Sequence, residues 1–200
     1  MEWNKIFRSA ASSVTAGACI GIAATVYLSL GSPLGPFMFA FGLLGVVYFK
    51  LNLFTGKAQF CWSRDRLWLL GVLALNIVGV ALVASIANRA GFKIDPAGIV
   101  DTRMQTGWLM DGLRAIPCGF IMTLAVKGAA DKNFLPLLFG VPTFIFCGFP
   151  HCVADVFYYV SVNPLTLLSP EYAATIVGNF LGCNFYRLFT EKTVTYGKLP

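Results

Sequence analysis

Six apolar runs, two of them too short to cross a bilayer alone, constrain the fold of this chain more than any other feature. A membrane-spanning helix needs about 20 mostly apolar residues. The runs are, in chain order, Ala10–Leu30, Leu34–Phe49, Leu67–Ala87, Trp108–Val126, Phe134–Phe146 and Tyr172–Phe189. Of the 200 residues, 57% are hydrophobic and 12% are charged, whereas an ordinary globular domain is about one quarter charged. The sequence therefore predicts an all-α membrane protein with six transmembrane helices.

The two short runs, the second and the fifth, are each followed by a break that contains glycine. The first break, Asn52-Leu53-Phe54-Thr55-Gly56, precedes the apolar piece Ala58–Trp62, and the second, Gly148-Phe149-Pro150-His151, precedes Cys152–Val162. Broken helices at matching positions of two three-helix halves are the sequence sign of an inverted repeat with a binding site near the membrane midplane. We predict one transmembrane domain, residues 1–200, with inverted halves at roughly 10–90 and 107–190. Two ordinary helices kinked for packing are the alternative.

The positive charges indicate on which side of the membrane the chain ends lie. If the N-terminus is cytoplasmic, ten of the 15 Lys and Arg residues share that side: Lys5, Arg8, Lys57, Arg64, Arg66, Lys127, Lys132, Arg187, Lys192 and Lys198. The opposite loops hold Arg89, Lys93 and Arg103 beside acidic residues. This bias predicts a multi-pass protein of the cell (inner or plasma) membrane with both termini cytoplasmic. It accounts for the net charge of +6, and nucleic acid is not an expected partner because no basic patch with interleaved aromatic residues occurs.

Cysteine and histidine are too sparse and too scattered to suggest a metal centre or an enzyme active site. The six cysteines form no CxxC pair, and all but Cys61 fall within apolar stretches, so we interpret them as packing residues. A single histidine cannot supply bis-histidine haem ligation, and no nucleophile–base pair stands out. We expect no cofactor, no metal and no enzymatic activity, with a membrane enzyme or haem-carrying subunit as the alternative.

The single histidine, His151, stands at the second break. Backbone polar groups at membrane depth must pair with protein or line a wet cavity, because lipid cannot satisfy them. An ionisable residue there is a functional hypothesis by default. An imidazole has an unperturbed pKa near 6.5, so it can take up or release a proton and can offer an N–H donor to an anion. A neutral histidine bonded to a backbone carbonyl is the alternative.

Thr55 lies at the corresponding break in the first half. Its hydroxyl can donate to an oxyanion without the desolvation of a full charge. The helix that restarts after each break is expected to point N–H groups and a partial positive charge toward the gap. A helix-capping role for Thr55 is the alternative.

Four segments resemble motifs of the formate/nitrite transporter family. Leu53-Phe54-Thr55-Gly56 and Cys147-Gly148-Phe149-Pro150-His151-Cys152-Val153-Ala154-Asp155 resemble its two signature loops. Leu113-Arg114-Ala115-Ile116-Pro117-Cys118 resembles the opening of its fourth helix. Val177-Gly178-Asn179-Phe180-Leu181-Gly182-Cys183 is similar to its sixth helix, although the family more often has glycine at the position of Cys183. The similarity extends from roughly Ala16 to Phe189.

This resemblance implies a homopentamer of aquaporin-like protomers, each a channel with its own pore. It implies that His151 is the central proton-exchanging residue and that Thr55 is its partner. It also implies apolar constrictions on either side, with Phe144 matching one constriction residue and Phe39 and Leu43 as candidates for the others. Ordinary helix packing is the alternative role for these three side chains.

The chain departs from the family pattern around both breaks. Family members usually carry Glu before the histidine and Asn four places after it, where this chain has Pro150 and Asp155. The usual acidic residue three places before the threonine is Asn52, and an uncommon Lys50 lies two residues further back. We expect the loss of acidic groups and the added lysine to favour anions, while Asp155 opposes this. Lys50 either snorkels or pairs within the bundle, with Asp155 as a candidate partner.

We therefore expect a pH-dependent channel or transporter for small monovalent weak-acid anions. Formate, nitrite, hydrosulfide, acetate and lactate all meet this description. Two dry constrictions oppose the passage of a charge, so a proton from His151 would let the anion cross as the neutral acid. The alternative is a channel for a small neutral solute such as urea, ammonia or water, although the paired Asn-Pro-Ala loops of aquaporins are absent.

Overall fold

The structure is a computed structural model that describes residues 2–60 and 66–187. Its helices are α1 (Glu2–Leu30), α2 (Leu34–Tyr48), α3 (Phe54–Lys57), α4 (Arg66–Arg89), α5 (Ala97–Thr106), α6 (Trp108–Ala130), α7 (Leu135–Phe146), α8 (Ala154–Val162) and α9 (Pro170–Asn184), with 3-10 turns at Ala58–Phe60 and Pro164–Leu168. By length and composition, α1, α4 and α6 can each cross a membrane alone. Six residues named in the predictions lie outside the described residues: Cys61, Trp62, Arg64, Phe189, Lys192 and Lys198.

The second and fifth apolar runs are broken by the same backbone turn. After α2, the Leu51 N–H donates to the Val46 carbonyl (2.8 Å), and after α7 the Phe149 N–H donates to the Phe144 carbonyl (2.9 Å). This is the Schellman helix end, which requires a left-handed residue just before the donor. Both breaks are therefore true helix ends, and the alternative of two kinked helices is wrong.

The left-handed residue differs between the two turns. It is Gly148 (φ 64°) in the second break and Lys50 (φ 54°) in the first. Glycine adopts this conformation without the steric penalty that a Cβ atom brings, so the second break is the relaxed form and Lys50 is the strained one.

Glycines bring α1 against α4 and α6 against α9. A Cβ atom at Gly17 would lie 2.1 Å from the Asn76 carbonyl oxygen, and one at Gly119 would lie 2.2 Å from the Asn179 carbonyl oxygen. Backbones that approach this closely gain packing energy where lipid offers no hydrophobic drive. Because Gly17 and Gly119 meet equivalent partners, the two halves use the same contact.

Large apolar side chains cover the outside of the bundle. Among the most exposed are Trp3, Phe7, Tyr48, Leu67 and Leu168. An apolar exterior of this kind suits a lipid or protein environment rather than water. The hydrophobic core draws residues from both halves and includes Leu53, Phe54, Val153 and Phe157 at or just after the breaks.

Candidate functional site

One buried asparagine holds the first break in place. Asn76 of α4 accepts a hydrogen bond from the Phe54 N–H (2.8 Å) and donates to the carbonyl of Asn52 (2.9 Å). It also donates to the Ser13 carbonyl of α1 (2.7 Å). These bonds satisfy backbone groups that lipid cannot satisfy, so the break is a built feature of the fold.

A second asparagine does the same for the second break. Asn179 of α9 accepts from the Cys152 N–H (2.7 Å) and donates to the carbonyls of Pro150 (3.0 Å) and Ala115 (2.8 Å). The Phe54 and Cys152 N–H groups are therefore bonded within the protein and are not available to an anion.

The asparagine contacts fix the register between the two halves. Asn52 and Pro150 occupy equivalent positions, as do Phe54 and Cys152. The counterpart of His151 is therefore Leu53, two residues before Thr55. The two breaks have the same backbone arrangement, but the position that is leucine in the first is histidine in the second.

His151 and Thr55 meet where the two breaks come together. The Nε2 atom of His151 lies 3.0 Å from the Thr55 Oγ1 atom, and both side chains are buried. The Ala154 N–H donates to Nδ1 of the same ring (3.1 Å). Because Nδ1 accepts, the neutral ring carries its proton on Nε2 and donates it to the Thr55 hydroxyl. Neither ring nitrogen bonds a backbone carbonyl, so the alternative role for this histidine is wrong.

Aromatic rings close over the imidazole on one side. The Phe144 ring stacks on His151 with centroids 5.6 Å apart and planes at 24°. Phe39 meets Phe144 edge to face at 6.1 Å, and Tyr27 meets Phe39 at 6.2 Å. Leu43, the third predicted constriction residue, is buried one turn further along α2.

A cavity of about 360 Å³ reaches His151 from the side of α5. Its wall includes Tyr27, Phe144, Tyr158, Asp155 and Arg103. Thr55, which contacts His151 Nε2, is not part of this wall. In the residues that the structure describes, no group of three His, Cys, Asp or Glu side chains could hold a metal ion.

Arg103 is a site residue that the sequence did not reveal. It lies on α5 and is buried, with its Nη1 atom donating to the Gly148 carbonyl (2.7 Å). Its Nε atom lies 3.4 Å from Asp155 Oδ2, and its Nη1 atom lies 3.9 Å from Asp111 Oδ1. The suggested pairing of Lys50 with Asp155 is therefore wrong, because Asp155 pairs with Arg103.

The residues of the first break attach it to α1. The Asn52 N–H donates to Ser12 Oγ (3.0 Å), and its amide nitrogen lies 3.3 Å from Ser9 Oγ. The Lys50 side chain is exposed at the turn just before. Asn52 thus ties the break to α1, whereas Lys50 is exposed at the surface of the protomer.

Residues 3–186 match the family model described as formate/nitrite transporter. The chain belongs to this family. Formate channel FocA of Haemophilus influenzae (strain ATCC 51907 / DSM 11121 / KW20 / Rd) is 27% identical over 186 residues, which cover 76% of this chain and 65% of that protein. The chain therefore spans just under two thirds of the length of this relative.

Two solved structures share the fold. One is titled "Pentameric formate channel with formate bound", with a TM-score of 0.78 and 18% identity over 92% of this chain and 94% of that chain. The other is titled "FNT family ion channel", with a TM-score of 0.80 and 20% identity over 92% and 89% of the two chains. The predicted fold, an all-α multi-pass membrane protein with six transmembrane helices and an aquaporin-like inverted repeat broken in the second and fifth, is confirmed.

Proposed function

We propose that this protein is a pH-dependent channel for small monovalent weak-acid anions, with His151 and Thr55 at its centre. The observation that carries the proposal is the 3.0 Å contact between His151 Nε2 and Thr55 Oγ1, at the meeting point of the two breaks. The relative named as a formate channel and the fold neighbour titled with bound formate make formate the first substrate to test. Nitrite, hydrosulfide, acetate and lactate follow on the same chemistry.

The aromatic constriction favours passage of a neutral substrate over passage of a charged one. Phe39 and Phe144 are almost completely buried, and a charge that passes between such rings loses its hydration without gaining a partner. A weak acid avoids this loss if it takes a proton before the passage. His151 stacks directly on Phe144 and is a titratable group in contact with that step.

The hydrogen bonds of the imidazole set the order of events. The ring is neutral at rest because Nδ1 accepts the Ala154 N–H, and a proton at Nδ1 would displace that bond. An anion at the constriction offsets the added positive charge, so when the anion is present the ring takes up a second proton from the aqueous side and becomes an imidazolium. The ring then transfers one proton to the anion and becomes neutral again, and the acid crosses uncharged.

The same proposal includes the assembly and the orientation. Five copies form a homopentamer in which each protomer has its own pore, supported by the apolar exterior and by the fold neighbour titled as pentameric. One channel domain covers residues 1–200, with halves at roughly 10–90 and 107–190. The distribution of Lys and Arg supports an inner or plasma membrane location with both termini cytoplasmic.

The test is uptake by liposomes that contain the purified protein under an imposed pH gradient. Formate uptake should exceed that of protein-free vesicles and rise as the external pH falls. His151→Gln should flatten this pH response. Thr55→Ser, which keeps the hydroxyl, should transport more formate than Thr55→Val. Uptake of urea with no uptake of formate would instead support the neutral-solute channel.

A further inference from the structure

A buried group of three charged residues, two of which line the cavity beside His151, is not used by the proposed function. Arg103, Asp155 and Asp111 come from α5, α8 and α6, and all three are at most 7% exposed. With both carboxyls ionised, the group carries one positive and two negative charges. A net charge away from water is unfavourable enough that a buried group takes up a proton instead.

The two carboxyl groups are not equivalent. Asp111 is fixed by the Thr175 hydroxyl, which donates to its Oδ2 atom (3.0 Å), and it does not line the cavity. Asp155 lines the cavity together with His151. Its Oδ2 atom, 3.4 Å from the Arg103 Nε atom, makes no hydrogen bond within the described chain, and neither does that Nε atom. Asp155 is thus the carboxyl that has an oxygen without a hydrogen bond, and it lines the cavity that a substrate would enter.

We infer that Asp155 stores the proton that is exchanged with the anion at His151. This inference rests on the proposed function and names the group that supplies the proton. The Asp155 carboxyl loses its proton and an anion A⁻ becomes the neutral acid HA, directly or through His151. The Asp155 carboxylate that remains lies beside the Arg103 guanidinium. The total charge of the site is unchanged, because the negative charge moves from the mobile anion to a fixed carboxylate.

The other ionisable groups around Arg103, Asp155 and Asp111 do not change the net charge of this cluster. The other titratable side chains near the cluster or on the cavity wall are His151, Cys118, Cys147 and Cys152, the tyrosines Tyr27, Tyr158, Tyr159 and Tyr172, and the charged residues Arg114 and Glu171. Arg114 is exposed and Glu171 is half-buried, so water screens their opposite charges. The charged residues of α4, which also packs on α8, are confined to the two helix ends.

The hydrogen bonds of His151 explain why the proton is held on another residue. His151 cannot keep a second proton at rest, since its Nδ1 atom is engaged by the Ala154 N–H. The Asp155 N–H donates to the His151 carbonyl (2.9 Å), so the two residues are one helical turn apart. Both residues line the same cavity, so a proton held on Asp155 can be exchanged with the ring and with the cavity.

The experiment measures formate uptake by liposomes containing the full chain at external pH values between about 5.5 and about 7.5. Asp155→Asn, a variant of the same shape that cannot titrate, should reduce the ratio of uptake at low and high pH by at least about threefold, which is also the effect expected of His151→Gln. Asp101→Asn on α5, an exposed carboxylate outside the cavity, should behave as the unchanged protein. Asp111→Asn leaves a neutral Arg103–Asp155 pair without a shared proton and should also reduce the ratio.

The outcomes separate the inference from the function on which it rests. If Asp155→Asn keeps the full pH ratio while His151→Gln loses it, the store is elsewhere and the proposed function stands. If the unchanged protein transports no anion, both are wrong. Poor folding is recognised by the thermal unfolding of each purified variant, and Asp155→Glu then serves as the second variant, because it retains a titrating carboxyl and should restore the pH response.

Discussion

Asn76 and Asn179 occupy equivalent positions in the two halves, and each spans one helix break with a single side-chain amide. Each accepts a hydrogen bond from a backbone N–H and donates one to the carbonyl two residues earlier. These groups are the Phe54 N–H and Asn52 carbonyl for Asn76, and the Cys152 N–H and Pro150 carbonyl for Asn179, at distances of 2.7 to 3.0 Å. Both side chains are completely buried. The breaks that carry Thr55 and His151 are therefore held in place from α4 and α9, outside the loops themselves.

Removal of either amide should destabilise the fold. Asn76→Ala leaves the Phe54 N–H and the Asn52 carbonyl without their partner, and each unpaired buried group costs about 1–3 kcal/mol. We expect a loss of roughly 2 kcal/mol or more, measured as a lower unfolding temperature in detergent. Asn179→Ala should lose a similar amount. Asn4→Ala, at an exposed position of α1, is the control, and equal melting of all three variants would contradict the assignment.

The glycine contacts predict opposite effects of the same substitution at two positions. Gly17→Ala places a methyl group 2.1 Å from the Asn76 carbonyl oxygen and should destabilise by about 1–3 kcal/mol, as overpacking does. Gly71→Ala, also within a helix, meets nothing within 4 Å. It should stabilise by about 0.5–1 kcal/mol because alanine favours helix. Unfolding of the two purified variants decides, and a loss at Gly71 as large as at Gly17 would disprove the close contact.

Much of the fold was predictable because apolar length and glycine are local signals. The six runs, the two breaks and the residues His151 and Thr55 could all be found by reading along the chain. The roles of Asn76 and Asn179 could not, because their partners belong to other segments and a single polar residue in an apolar run gives no register. The equivalence of Leu53 with His151 depends on those same long-range bonds.

Arg103 illustrates a second limit of the sequence. It lies between two apolar runs among loop charges, and nothing in the local pattern separates it from Arg89 or Lys93. It becomes a site residue because α5 packs against α8 and brings the guanidinium within 2.7 Å of the Gly148 carbonyl. Asp155, by contrast, was noticed as a departure from the family pattern, although its suggested partner was wrong.

Lys50 combines strain with charge, and one substitution separates the two. Asparagine tolerates the left-handed conformation better than lysine does, so Lys50→Asn should stabilise the protein by roughly 0.5–1 kcal/mol. It also removes an exposed positive charge from the mouth of the first break. We expect slower formate uptake at low salt and little difference at high salt, where the charge is screened.

The control for this prediction is a second left-handed lysine. Lys132 has φ 61° and lies in the turn between α6 and α7, so Lys132→Asn should give a similar gain in stability. It should leave the salt dependence of uptake unchanged. If the two variants alter transport equally, Lys50 has no special role in attracting the anion.

Phe144 should set the size limit for the substrate. Its ring stacks on His151 and meets the edge of Phe39, so a smaller side chain opens the passage next to the imidazole. Phe144→Leu should increase the uptake of lactate relative to formate, on the order of tenfold, which is what one apolar contact contributes to discrimination. The ratio of the two uptake rates in the same liposomes is the measurement, and it is independent of the amount of protein inserted.

A matched variant on the same helix separates pore size from helix packing. Phe139 of α7 is 64% exposed, so Phe139→Leu removes the same atoms from the outer surface of the protomer. It should leave the lactate-to-formate ratio unchanged. Because Phe144→Leu keeps an apolar group over the ring, the pH response that depends on His151 and Asp155 should persist. A variant that transports formate normally with an unaltered ratio would show that the narrowest point of the pore lies elsewhere.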